Sequence, residues 1–150
     1  MIKKLLVAVD GSSHSMKAVD FAAQIAAGCD AEMIILSVIR SHQTPKVSEQ
    51  LRAYAELEHI SGSDLDAIKV LSRDLVNEAE VRARDKGVSK VKTKVDTGPV
   101  ARTIVSYAKQ NDADVIVIGS RGLGNIEATL RGGVSHRVEL LAKCSVLTVK

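Results

Sequence analysis

Five short apolar runs, separated by stretches with helical periodicity, constrain this chain more than any other feature. They lie at residues 4–9, 31–39, 88–95, 115–118 and 146–149. Between them, apolar residues recur at helical spacing: Ala18, Phe21, Ala22, Ile25 and Ala26; Ile68, Leu71, Leu75, Val76, Ala79 and Ala83; Ile104, Tyr107 and Ala108; then a pattern over about 133–142. Alternating strands and helices predict a parallel sheet, because parallel strands need crossover connections. The expected fold is α/β: a doubly wound five-stranded parallel sheet with helices on both faces, one domain over residues 1–150. The first and fourth runs are uninterrupted, which predicts central strands. The third alternates Val88, Val91, Thr93 and Val95 with polar residues, so one face is wet and an edge is expected.

Local signals punctuate the elements. Asp10-Gly11-Ser12-Ser13 marks a turn, with Ser13 placed to cap the first helix; Gly28 and Gly87 read as helix stops, and Gly98-Pro99 as a helix start. Residues 41–62 are ambiguous. Pro45 sits in a polar loop, Leu51, Tyr54, Ala55 and Leu57 give a weak helical pattern, and Ser63 with Asp66 resembles a capping box. A helix, a flexible lid and a partly disordered loop all fit that stretch.

Composition excludes several functions. Phe21, Tyr54 and Tyr107 are the only aromatic residues, too few for stacking nucleic-acid bases. The net charge of +3 carries no long basic block, and the cluster Arg82, Arg84, Lys86, Lys90, Lys92 and Lys94 reads as a solvated surface. Cys29 and Cys144 have no metal-ligand spacing; they read as buried or semi-buried thiols in a reducing compartment. The first apolar run is too short for a secretory signal, and no run reaches membrane-spanning length, so a cytoplasmic protein is expected.

The chemistry gathers at residues 114–136. The apolar run 115–118 ends in Gly119, Gly122 and Gly124; a second pair, Gly132 and Gly133, precedes a helix start. Glycine-rich backbone and a helix N-terminus aim N–H groups and a positive dipole end at one space, an anion site that usually takes phosphate. In a doubly wound sheet this turn and Asp10-Gly11-Ser12 would meet beyond the carboxyl ends of neighbouring strands. Known phosphate loops do not match: the first strand lacks Gly-x-Gly-x-x-Gly, and no Gly-x-x-x-x-Gly-Lys-Ser/Thr exists. A phospho-receiver would need an acidic pair after the first strand and would leave the glycine loop unexplained.

Val7-Ala8-Val9-Asp10-Gly11-Ser12, Gly119-Ser120-Arg121-Gly122 and Gly132-Gly133-Val134-Ser135 resemble the universal stress protein family, and the resemblance runs through essentially the whole chain. The family pattern is Gly, two residues, Gly, nine residues, Gly, then Ser or Thr; here Gly119, Gly122 and Gly132 match, and Gly133 replaces the hydroxyl residue. The resemblance implies a Rossmann-like fold of the adenine-nucleotide-binding type, holding ATP, with or without Mg2+, or AMP or ADP. Ala8, Asp10 and Gly11 would lie by ribose and adenine, and the main chain of Val38 by the adenine edge. Gly119, Ser120, Arg121 and Gly122, with Gly132, Gly133, Val134 and Ser135, would hold the phosphates. Ser120 or Ser135 could replace the missing hydroxyl. The resemblance also implies a homodimer through the C-terminal strand.

No catalytic triad, cysteine–base pair, metal cluster or Ser-Gly-Gly-x-Asp-Ser loop is present, so no enzyme is expected beyond weak ATP hydrolysis; His14 and His136 read as surface residues. Two functions stay open: a nucleotide-binding regulatory module that reports to a protein partner, and a homodimeric stress or interaction protein with a degenerate pocket. An adenylyl-transferring enzyme is the weakest alternative.

Overall fold

The strand β1 (Lys4–Ala8) is apolar on both faces, and the fold is built around it. A computed structural model describes residues 1–40, 64–121 and 133–150. In chain order these form β1, α1 (Ser13–Cys29), β2 (Glu32–Ile39), α2 (Asp64–Asp85), β3 (Val91–Thr97), α3 (Val100–Gln110), β4 (Val115–Gly119), α4 (Val134–Leu141) and β5 (Ser145–Val149). The sheet order is β3-β2-β1-β4-β5 and every pairing is parallel. β1 is central with β4 beside it and β3 is an edge, as the hydrophobic runs predict; β5 is the other edge.

Alternation along β1 divides the core. Leu5, Val7 and Val9 face α1 and α2, whose Ala18, Val19, Ala22, Val76, Ala79 and Ala83 complete one apolar cluster. Leu6 and Ala8 face the opposite way, into a cluster with Ile104 and Ala108 of α3 and Val138 of α4. Small alanines on α1 let the helix lie close to the sheet. An ion pair clips the two helices on that face: Asp20 of α1 accepts two hydrogen bonds of 2.7 Å from Arg82 of α2, with Lys86 at 3.5 Å.

Four local expectations are corrected. Ser12, not Ser13, caps α1, because the turn ahead of it is already closed at Ser12. Gly28 does not end α1; the helix runs to Cys29, and Asp30 ends it in the left-handed region (φ 51°), which Asp tolerates. β3 begins at Val91 rather than residue 88, because the Val88 amide donates to Ala83 O and its side chain is buried in the α1–α2 cluster. Cys29 is exposed, since it lies past Ala26, the last inward residue of α1; Cys144 is half-buried, as expected. The ambiguous stretch 41–62 and the capping box at Ser63 lie outside the described residues.

Candidate functional site

β1 and β4 are neighbours, yet the chain leaves them toward opposite faces. From β1 it enters α1 on one face, and α4, which follows β4 in the element order, packs on the other. This is the switch point of the sheet, the place beyond the strand ends where doubly wound folds bind their ligands.

The β1 side of the crevice is a fixed turn. Asp10 Oδ1 accepts from Ser12 N at 2.9 Å, and Gly11 between them has φ +86°, a conformation that favours glycine. Ser12 Oγ accepts from Ser15 N at 3.2 Å, capping α1. Ser15 Oγ donates back to Ser12 O at 3.0 Å.

The β4 side is tied to that turn. Gly119 ends β4 against the first turn of α1: a Cβ there would lie 2.8 Å from the His14 carbonyl carbon and 2.9 Å from Ser15 N. Gly119 is therefore a close-approach glycine, and its flank toward α1 is filled by helix. Ser120 N donates to Val149 O at 2.7 Å, anchoring the turn to β5. Ser120 Oγ lies 3.1 Å from His14 Nδ1, and Ser12 Oγ donates to Arg121 O at 3.3 Å. The turns after β1 and β4 are thus joined by two hydrogen bonds that bridge more than a hundred residues of chain.

Gly133 is the N-cap of α4 (φ −58°, ψ 162°) and provides no side-chain cap. Val134 and Ser135, in the first turn, are half-buried. An N-terminus without a side-chain cap keeps donors and a partial positive charge for an anion.

Val38 belongs to the same end of the sheet. The β1–β2 ladder stops at Ala8 and Leu36, with Val9 N donating to Leu36 O at 2.9 Å. Bonding direction alternates along a parallel strand, so the main-chain polar groups of Val38 point to the β1 side, one step past the ladder. Ala8, Asp10, Gly11, Val38, Gly119, Ser120 and Arg121 therefore gather at the carboxyl ends of β1, β2 and β4. Gly133, Val134 and Ser135 begin the helix that follows β4. Gly122 and Gly132 lie outside the described residues.

Sequence reasoning set His14 aside as a surface residue, whereas its ring is bonded to Ser120. No spacing rule links residues 106 apart. Among the described residues no group of three or more His, Cys, Asp or Glu side chains is arranged to hold a metal, and no helix is long and apolar enough to cross a membrane. A separate concavity of about 500 Å³ lies between α2 and β3, lined by Lys69, Arg73 and Lys94 among others; none of the predicted site residues lines it.

A parallel five-stranded α/β sheet with a switch-point crevice defines a class of ligand-binding folds. Residues 1–150 match the family described as the universal stress protein family. The chain is 35% identical over 150 residues to universal stress protein YxiE of Bacillus subtilis (strain 168), with all of both chains covered. It is similar to a universal stress protein solved in complex with cAMP: 28% identity, TM-score 0.71, covering 99% of this chain and 97% of the other. Universal stress protein UspA from Lactobacillus plantarum shares the fold, at TM-score 0.80 and 24% identity over 99% of this chain and 98% of the other. The chain belongs to the universal stress protein family.

Proposed function

We propose that this protein is a regulatory module of the stress response that binds an adenine nucleotide in the crevice between β1 and β4 and reports its occupancy to a protein partner. The ligand is ATP, with or without Mg2+, or AMP or ADP. The protein acts as a single cytoplasmic domain, by binding rather than turnover.

The observation that carries this proposal is the convergence of three features on one crevice. They are the closed Asp10–Ser12 turn, the Ser120–Arg121 backbone tied to it, and an α4 N-terminus without a side-chain cap. The main chain of Val38 offers polar groups for an adenine edge, and the α4 amides offer donors for phosphate. The cAMP complex of a family member 28% identical to this chain supports an adenine nucleotide as the ligand class. Mass spectrometry of the purified protein, before and after incubation with millimolar ATP, tests the proposal. A retained or acquired nucleotide supports it. A bare protein in both samples overturns it in favour of an interaction protein whose crevice takes no nucleotide.

A homodimer through β5 belongs to the same proposal. β5 is a sheet edge with half-buried Val146 and Leu147, and nearby α4 exposes Leu140 (72%) and Leu141 (47%). An apolar edge pairs readily with a second copy. A dimeric mass in sedimentation equilibrium is expected; a monomeric mass contradicts this assembly.

A further inference from the structure

The concavity of about 500 Å³ between α2 and the edge strand β3 has an apolar floor and cationic walls. Ile39 (7% exposed), Val76 (3%) and half-buried Val95 form the floor. Strand alternation sets Thr93 and Thr97 on the same face of β3 as Val95, the face that α2 covers. Lys69 and Arg73 of α2 and Lys94 of β3 supply the positive charge.

The ion pairs of these elements single out those three residues. Along α2, β3 and the turn between them, Arg82 and Lys86 pair with Asp20, Arg84 with Glu80, Lys90 with Asp30 and Lys92 with Glu32. The remaining cations of this stretch are Lys69, Arg73 and Lys94. Among the described residues none of them is in an ion pair with a carboxylate, and all three line the concavity. Lys69 and Arg73 stand one helical turn apart, where like charges repel. An anion between them relieves that repulsion.

We infer that this concavity is a second ligand site, for a small organic phosphate. The phosphoryl oxygens meet Lys69, Arg73 and Lys94, and the carbon skeleton lies on Ile39, Val76 and Val95. A guanidinium fork matches phosphate oxygens two at a time, and threonine hydroxyls can donate to the same group. A phosphate monoester carries nearly two negative charges at neutral pH, a better match for three cations than one carboxylate. The volume falls in the range of about 300–1,000 Å³ that small-molecule sites occupy, and inorganic phosphate alone would leave the floor bare. The inference does not rest on the nucleotide reading, since none of the residues assigned to the nucleotide lines this concavity.

Amide NMR of the full chain, titrated with phenyl phosphate and separately with inorganic phosphate, tests it. Millimolar phenyl phosphate should shift the amides of Thr93, Val95 and Thr97 to saturation and leave those of Gly11 and Gly119 in place. Inorganic phosphate should bind about tenfold more weakly, for want of contact with the floor. Arg73→Gln should weaken phenyl phosphate about tenfold, the scale of a hydrogen bond to a charged group. Arg73→Lys should fall between, keeping the charge without the fork. Arg73 is exposed, so R73Q should melt at the wild-type temperature, which separates lost binding from lost fold. K94Q, on a different element, should weaken binding likewise. Unmoved β3 amides, or R73Q and K94Q that bind as tightly as wild type, would overturn the inference. Equal affinity for the two probes would also overturn it, since the floor would then play no part. Shifts confined to Gly11 and Gly119 would put the phosphate in the crevice, overturning this site and leaving the nucleotide reading intact.

Discussion

Replacing Gly119 with alanine tests whether this glycine is there for close packing. The new Cβ would sit 2.8 Å from the His14 carbonyl carbon and 2.9 Å from Ser15 N, both main-chain atoms that no rotamer change can move. Carbon atoms rest about 3.5–4.0 Å apart, so the first turn of α1 must retreat by roughly 1 Å or β4 must bend. α1 buries Ala18, Val19, Ala22, Ala23 and Ala26 against the sheet, so retreat loosens a packed face. Overpacking of this kind costs about 1–3 kcal/mol. At about 2–4 °C per kcal/mol for a chain this size, the melting temperature should fall by roughly 2–12 °C. Urea unfolding followed by circular dichroism gives the free energy. Gly28→Ala is the control: nothing lies within 4 Å of its added Cβ, and Gly to Ala within a helix should stabilise by about 0.5–1 kcal/mol. A G119A protein within about 0.5 kcal/mol of wild type would refute the close-packing argument.

Gly133→Ser adds a side chain where nothing lies within 4 Å and provides an N-cap for α4. It should stabilise by a few tenths of a kcal/mol and tighten ATP binding about tenfold in calorimetry; unchanged affinity would mean residue 133 does not face the phosphates. The hydrogen bond from Arg82 holds the Asp20 carboxyl below its usual range, against burial and with help from the Arg82 and Lys86 charges. A carboxyl with a lowered folded pKa stabilises above its unfolded pKa and loses that contribution as pH falls through the folded value. Asp20→Asn should therefore cost about 0.5–1 kcal/mol at neutral pH, since Arg82 is 43% exposed, and nothing in strong acid; urea titrations across that range would show an unchanged cost if the pairing were wrong. Cys29 is exposed, whereas burial raises the Cys144 thiol pKa. Iodoacetamide on the native protein should label Cys29 first, and peptide mass mapping showing the reverse order would contradict the placement of α1's end.

The sheet was legible because each strand advertises its own burial. β1 and β4 are apolar on both faces because helices cover both, and Lys92 and Lys94 betray the wet face of β3. Two of the local misreadings share one cause: a competing partner that sequence does not show. Ser12 rather than Ser13 became the cap because Asp10 Oδ1 holds the Ser12 amide. Val88 left the strand because Ala83 O takes its N–H. The site was half legible. Its glycines, its helix start and its location at the strand ends follow from pattern and topology. The distinct role of Gly119 depends on how close α1 comes, and the His14–Ser120 bond joins segments 106 residues apart. Neither distance is written in local spacing.

Calorimetric titration of the purified full-length chain with Mg-ATP measures the central claim most directly. One nucleotide per chain, with affinity lowered by substitutions at Ser120, is the predicted result. No heat at millimolar ATP, from protein shown to be folded and free of retained nucleotide, would contradict it.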